Sequence, residues 1–441
     1  MRARILSTMA VLMATACTET NIQPDVGPMD VRTSVMVDAS AEADVPTPTE
    51  DAPARDAPRP DAPRSATLPV WRRAMAPRTW ANVGNLPTSV DPETNPALNP
   101  NHPGPAPWRN TSGGGTIDRV FNAWSGAAYH QPSDELWVHG GGHDDYAGNE
   151  IYKVAMYAEE PRWELVIPPT GAIGNEGRLL DGLEASGVYF DGRPRSSHTY
   201  DLPVFVGDEF WLAALGSTFA SGIGTATTFR FRDGDWELVQ RNQFATGDNA
   251  QQGSAAYDAS RGRLFFVPSA NRTLTYWDVA TSTQVDTGIW LNLGRQSRTI
   301  VIPELDLLVV LNGNYAAELG VYDHGRTPGM SIHQPGATGE QPSYDGYDAD
   351  WWYPNGVWIP ALGSIACWHG GTDLWLLTPP ASNPTTTPWS WSRLRADPTN
   401  TLDPGVPTAT GMFGRVFYSA ALHGIGVITR HDRPIAFFAL D

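Results

Sequence analysis

The densest chemistry in this 441-residue chain lies at 137–152, W-V-H-G-G-G-H-D-D-Y-A-G-N-E-I-Y. His143 sits there between glycines and aspartates. A histidine so placed can act as a general base near neutral pH, can ligate a metal, or can simply hydrogen-bond its own loop and hold its shape. Asp144 and Tyr146 are candidate ligand contacts, although aspartates also serve as plain turn formers. His139, just before the three glycines, is a second metal candidate or a residue pointing into a sheet. Farther along, His198 and Tyr200 are two residues apart at a strand start. From an extended strand they point the same way and could pass a proton, or the tyrosine could be packed with its hydroxyl tied to backbone. Arg298 and Arg415 open two strand-like runs and could grip a carboxylate or sulfate bidentately, or bridge neighbouring elements. Asn314 and His369 complete the candidate set.

These residues need a scaffold, and the composition names its class. Charged residues are 18%, with 43 glycines, 38 prolines and 17 tryptophans. That mixture suits short strands and tight turns, and no long stretch carries apolar residues at helical spacing. The net charge is −18 and Lys153 is the single lysine. An acidic body is repelled by phosphate backbones, which argues against nucleic acid as a partner.

The chain repeats itself, and the repeat predicts the fold. S-G-A-A-Y-H-Q-P-S-D-E-L-W-V at 125–138 matches G-S-A-A-Y-D-A-S-R-G-R-L-F-F-V at 253–267. Both read as two antiparallel strands around a polar turn. Variants of this hairpin recur at 202–215, 299–311, 356–368 and 416–429, each followed by a glycine-rich loop and a third strand. A fourth strand follows at 163–166, 236–239 and 389–394. Six four-stranded units predict an all-β, six-bladed β-propeller, with a seventh blade left open in 84–123 or 167–197. The last unit lacks a fourth strand, and 71–83 could supply it from the far end of the chain. In such a blade, the loop entering strand one and the loop between strands two and three share a face around the channel. His143, His198, Tyr200, Arg298, His369 and Arg415 are all assigned to that face. Residues 167–196 are long enough for a lid.

The first residues carry an address. Arg2 and Arg4 precede an apolar run of twelve, Ile5 to Ala16, and then Cys17. The run is too short to span a bilayer and suits a signal peptide. It resembles a bacterial lipoprotein signal (1–17), which implies lipidation of Cys17, although Ala14 stands where leucine is usual. Residues 18–67 are rich in Asp, Ala and Pro, with D-A-P at Asp51, Asp56 and Asp61. Such a segment buries too little apolar surface to order itself and reads as a tether. The expected arrangement is a head at 68–441 held at the cell envelope, on the outer membrane or outside the cell. Cys17 and Cys367 are the only cysteines, and they form no plausible disulfide framework.

The head resembles bacterial exported proteins of the kelch and galactose-oxidase-like propeller class. The resemblance rests on G-G-G-H-D-D-Y-A-G-N-E-I-Y after S-G-A-A-Y, and on R-P-R-S-S-H-T-Y at 193–200. It implies the fold more firmly than an activity. A weaker resemblance to propeller-type ulvan lyases implies acid–base elimination on uronate-containing glycans, with His143 at their histidine and Tyr200 at their tyrosine. The first histidine of those lyases corresponds here to 122–124, which has none, and no arginine follows Tyr200 at the expected offset. Three readings remain open: a carbohydrate-active enzyme, foremost a lyase using His143, His198, Tyr200 and Arg298; a non-catalytic carbohydrate- or protein-binding lipoprotein; and a site using a divalent metal through His139 and His143. A copper oxidase of the galactose-oxidase kind lacks its cysteine, because Cys367 falls mid-strand.

Overall fold

The computed structural model describes residues 68–84, 118–142, 146, 148–170, 187–189, 191–219, 224–225, 227–240, 252–267, 272–291, 296–311, 319–323, 333, 335–340, 342, 355–430 and 433–441. His143, Asp144, Asn314 and Cys17 lie outside them, as do the leader, the tether and most of the segment read as a lid.

The described residues form six antiparallel sheets around one axis. Blade 1 is Gly126–His130, Glu135–His139, Ile151–Ala155 and Trp163–Ile167, paired in that order. Blade 2 is Pro203–Val206, Glu209–Leu212, Thr228–Arg232 and Asp235–Gln240, and blade 3 is Ser254–Asp258, Arg263–Val267, Arg272–Asp278 and Thr283–Leu291. Blade 4 shows three strands, Arg298–Ile302, Leu307–Leu311 and Leu319–Asp323. Blade 5 is Val357–Ile359, Ser364–Cys367, Leu374–Thr378 and Trp389–Leu394. Its outer edge gains a parallel strand, Ala337–Gly339, that the repeat did not predict. Blade 6 is Val416–Ser419, Gly424–Val427 and Ile435–Ala439. As predicted, an N-terminal strand, Trp80–Val83, completes it by pairing with Ile435–Ala439. Among the described residues there is no seventh blade; the remaining strands, Leu215–Ser217 and Gly224–Thr225, form a two-stranded ribbon beside blade 2.

Side-chain alternation explains why the strands read as continuous apolar runs. Successive residues point to opposite faces of a sheet, and here both faces are covered by neighbouring blades. In blade 4, Leu307, Val309 and Leu311 pack toward Ile365 and Trp375 of blade 5. Leu308 and Val310 pack the other way, toward Phe265 and Val267 of blade 3. In blade 1, Ala127 joins the core shared with Phe417 of blade 6, while Ala128 joins the core shared with Phe210 of blade 2. Six such cores, one between each pair of neighbouring blades, close the ring.

The ends of the chain fasten the closing blade. The short helix Val70–Arg73 lays Trp71 edge-on against Phe437 at 5.3 Å. Arg72 is 4% exposed. Its Nε donates to the Leu422 carbonyl at 2.5 Å, and its Nη2 donates to the Asp441 carbonyl at 2.8 Å and to Asp441 Oδ1 at 3.1 Å. Replacing Arg72 with alanine strips a charged donor from buried carbonyls, so Arg72→Ala should destabilise the head by about 2 kcal/mol. Urea unfolding followed by tryptophan fluorescence measures this; an unchanged midpoint would show that the strap is not needed for closure.

Candidate functional site

The loops that enter each inner strand share one backbone device. Trp124, Tyr200, Gln252 and Gln296 have φ of 49°, 43°, 65° and 65°, and Gly414 has φ of 63°. Four of the five are not glycine, in a region that costs side chains energy. Backbone bonds between successive blades hold the turns there. The Ala127 N–H donates to the Phe413 carbonyl at 3.0 Å, Tyr200 to Trp124 at 2.8 Å, Ala255 to Asp201 at 2.8 Å and Gln296 to Gln252 at 3.0 Å. Space is tight at these turns: a Cβ on Gly126 would meet the Tyr200 carbonyl at 1.9 Å.

One ion pair extends this collar. Asp201, 1% exposed, enters blade 2. Its carboxylate takes the Nη1 donor of Arg298, which opens blade 4, and accepts from the Thr299 N–H at 3.3 Å. Arg298 Nε donates to the Gly356 carbonyl at the start of blade 5, at 2.9 Å. Burial pushes the Asp201 carboxyl up to about 6, with Arg298 pulling it back. The Arg298 guanidinium is therefore engaged by a carboxylate of the protein itself. Arg415, the other strand-opening arginine, is fully buried, and its Nη2 donates to Thr408 Oγ1 at 2.9 Å and to the Gly411 carbonyl.

His198 and Tyr200 do come together, with 3.3 Å between the tyrosine hydroxyl and His198 Nδ1. The imidazole lies on Trp124 at 4.6 Å between ring centroids, and Tyr200 meets Phe413 edge-on at 5.4 Å. Both are almost fully buried, at 4% and 3% exposed. They form part of the packed wall.

The two motif stretches prove to be one structure. Ser196 Oγ donates to the carbonyls of Tyr146 at 2.6 Å and Gly140 at 3.1 Å. The Gly142 N–H donates to the Ser197 carbonyl at 3.1 Å. Asn149 Nδ2 donates to the Pro194 carbonyl at 2.8 Å and to Thr170 Oγ1 at 2.9 Å. Gly141 has φ of 126°, and a Cβ there would fall 2.1 Å from Ser196 Oγ; only glycine fits. Tyr146 is fully buried and donates to Glu150 Oε1 at 2.8 Å, as Tyr152 does at 3.2 Å. Tyr146, a candidate ligand contact by sequence, is thus inside the loop's own packing.

His139 turns away from the channel. Alternation along Glu135–His139 puts it on the same side as Trp137, between blades 1 and 2, where its ring meets Trp236 edge-on at 5.3 Å. Its Nδ1 pairs with the Glu150 carbonyl at 3.1 Å. His369 begins the loop after strand two of blade 5, and desolvation lowers its ring pKa to about 3. Among the described residues no three His, Cys, Asp or Glu side chains converge as a metal site. Cys367 is buried, with its thiol pushed up to about 12 by desolvation.

The axis of the ring holds a cavity of about 430 Å³, within the range of small-ligand pockets. It runs from Arg298 and Thr299 to the turns between strands one and two, at Gln131, Glu304 and Pro360. It therefore opens toward the face opposite the entry loops. Its wall carries a sixfold feature. The penultimate residue of each inner strand pairs with the second residue of strand two, and these penultimate residues are Tyr129, Phe205, Tyr257, Val301, Trp358 and Tyr418. Five of the six are aromatic, and all six line the cavity. Each leans on the core it shares with the preceding blade. Tyr129, Phe205, Tyr257 and Trp358 keep partial exposure. Trp358 Nε1 donates to Glu304 Oε2 at 2.9 Å, beside the mouth. The A-A-Y repeat already displayed two of these aromatics, but the register of all six blades is needed to see the girdle.

No protein-family model and no curated protein sequence matches the chain. Solved structures do. A protein of unknown function from Bacteroides thetaiotaomicron is 12% identical with a TM-score of 0.43, over 82% of this chain and 75% of that one. An auxiliary nutrient binding protein from Bacteroides ovatus is 10% identical with a TM-score of 0.41, over 73% and 69%. The major allergen Mala s 1 of Malassezia sympodialis is 7% identical with a TM-score of 0.40, over 73% and 93%.

The burial of His139 has a consequence in acid. Desolvation lowers its pKa from 6.5 to about 4. As pH falls, the unfolded chain takes up this proton first. The stability tied to the neutral ring is present above pH 6.5 and is lost toward pH 4, by roughly 3 kcal/mol for a shift of this size. His139→Asn keeps a donor for the Glu150 carbonyl and removes the titration. Urea unfolding between pH 7 and pH 4.5 should show a shallower loss for the variant; parallel curves would contradict the assignment.

Proposed function

We propose that the chain is an exported, envelope-tethered propeller of the kelch-like kind that binds carbohydrate in its axial cavity and releases it unchanged. The observation that carries this reading is the aromatic girdle. Tyrosine and tryptophan offer an apolar ring face with a polar tip, the combination that suits the C–H face and hydroxyls of a sugar. Glu304, which accepts from Trp358 Nε1, adds a hydrogen-bonding carboxylate at the mouth. The likeness to exported kelch-like propellers gains support from the contact between its two motif runs, which brace blade 1 against the entry of blade 2. Binding without turnover is favoured because Arg298 faces Asp201, leaving it no charge for a substrate carboxylate.

The full chain should bind at least one neutral oligosaccharide from a panel, measured by calorimetry and by the fluorescence of Trp358. Trp358→Ala and Tyr257→Ala should each weaken that binding about tenfold, the equivalent of 1.4 kcal/mol. Binding that survives both changes and disappears in His198→Ala would move the site to the entry-loop face. Ultraviolet-absorbing unsaturated products from uronate polysaccharides would return the lyase reading.

A further inference from the structure

Among the described residues that line the axial cavity, only Arg298 and Glu304 carry charge, and they stand at opposite ends of it. Arg298, at the entry-loop end, is held by the Asp201 carboxylate. Glu304, at the mouth, accepts from Trp358 Nε1. The turns around that mouth add Asp134, Asp208 and Asp306 to Glu304, against a single arginine, Arg261. We infer that the cavity selects a ligand carrying an ammonium group, so that its sugar is an amino sugar with a free amine. This rests on the reading of the cavity as a carbohydrate site and adds the sign of the ligand's charge to it.

The basic groups of these turns are already engaged by carboxylates. Arg261 is tied to Asp258 at 3.0 Å and to Asp306 at 2.6 Å, and His423 stands 3.2 Å from Asp441 Oδ2. Asp208, in the turn of blade 2, has a side chain 91% exposed and lies 3.2 Å from His130 Nε2. From farther off, the chain's net charge of −18 draws cations and repels anions. Inside the mouth the rings act in the same direction. The Tyr129 hydroxyl donates to Oδ1 of the buried Asp134 at 2.8 Å, and the Trp358 indole N–H donates to Glu304 at 2.9 Å. A hydrogen bond given to a carboxylate polarises its donor and leaves the ring richer in electrons, and the negative face of a ring attracts a cation. An ammonium beside Trp358 would meet the indole and the Glu304 carboxylate together, and its N–H groups can donate charge-assisted bonds to that carboxylate. A sugar carboxylate or sulfate would meet the same groups with the opposite sign.

Calorimetric titration of the full chain tests this with three probes: the β-1,4-linked glucosamine disaccharide with free amines, the same disaccharide N-acetylated, and tetramethylammonium. At about pH 6 an α-amine keeps its proton. The comparison is Glu304→Gln, which removes the charge and keeps an acceptor for Trp358 Nε1. Glu304 is exposed, so the fold should survive, which an unchanged melting temperature checks. The free-amine disaccharide should bind at least about tenfold tighter than the N-acetylated form, and the ratio should collapse toward one in Glu304→Gln and shrink as salt screens the charge. Equal or tighter binding of the N-acetylated form overturns the inference and leaves the carbohydrate reading standing. A ratio unchanged in Glu304→Gln also overturns it. Binding of tetramethylammonium with both disaccharides silent supports the cation preference and fails the carbohydrate reading. Silence of all three probes overturns the inference.

Discussion

Asp201 and Arg298 form the contact on which the arrangement of the channel depends. The pair joins the entry of blade 2 to the entry of blade 4, and Arg298 continues to the Gly356 carbonyl of blade 5. Backbone bonds link the remaining entry turns from blade 6 through blades 1, 2 and 3 to blade 4. Without these links, Trp124, Tyr200, Gln252 and Gln296 would have little reason to stay at positive φ. The same pair marks one end of the axial cavity. It divides the molecule into a braced entry-loop face and an open aromatic mouth.

That division changes where function is sought. Catalysis on the entry-loop face would need a free cation and a solvent-reachable acid–base pair. Arg298 is paired, Arg415 is buried, and His198 and Tyr200 are packed between Trp124 and Phe413. Among the described residues, the exposed rings of the axial wall offer a different surface, away from the entry loops.

Much of the fold was legible in the sequence, because a strand buried on both faces must be apolar along its length and its repeat shows directly. The A-A-Y hairpins, the tryptophan-led fourth strands and the closing role of 71–83 all follow from local pattern. The parallel strand Ala337–Gly339 did not, since three residues carry no period. The site was less legible. The partnership of Asp201 with Arg298 spans 97 residues and depends on the curvature of the whole ring. By sequence His139 was either a metal candidate beside the glycines or a residue pointing into the sheet, and strand alternation decides for the second by sending it toward Trp236. Tyr129 and Tyr257 were visible as part of the repeat, yet their kinship with Phe205, Trp358 and Tyr418 appears only once every inner strand has a register.

A double-mutant cycle on the central ion pair tests the account most directly. Stabilities of the native chain, Asp201→Asn, Arg298→Met and the double variant would be measured by urea unfolding at pH 7. If the pair holds the collar, each single change leaves a buried group without its partner. The double change should then cost less than the sum, with a coupling of about 1–3 kcal/mol. Additivity within about 0.5 kcal/mol would mean that the two side chains act separately, and that Arg298 is free to meet a ligand after all.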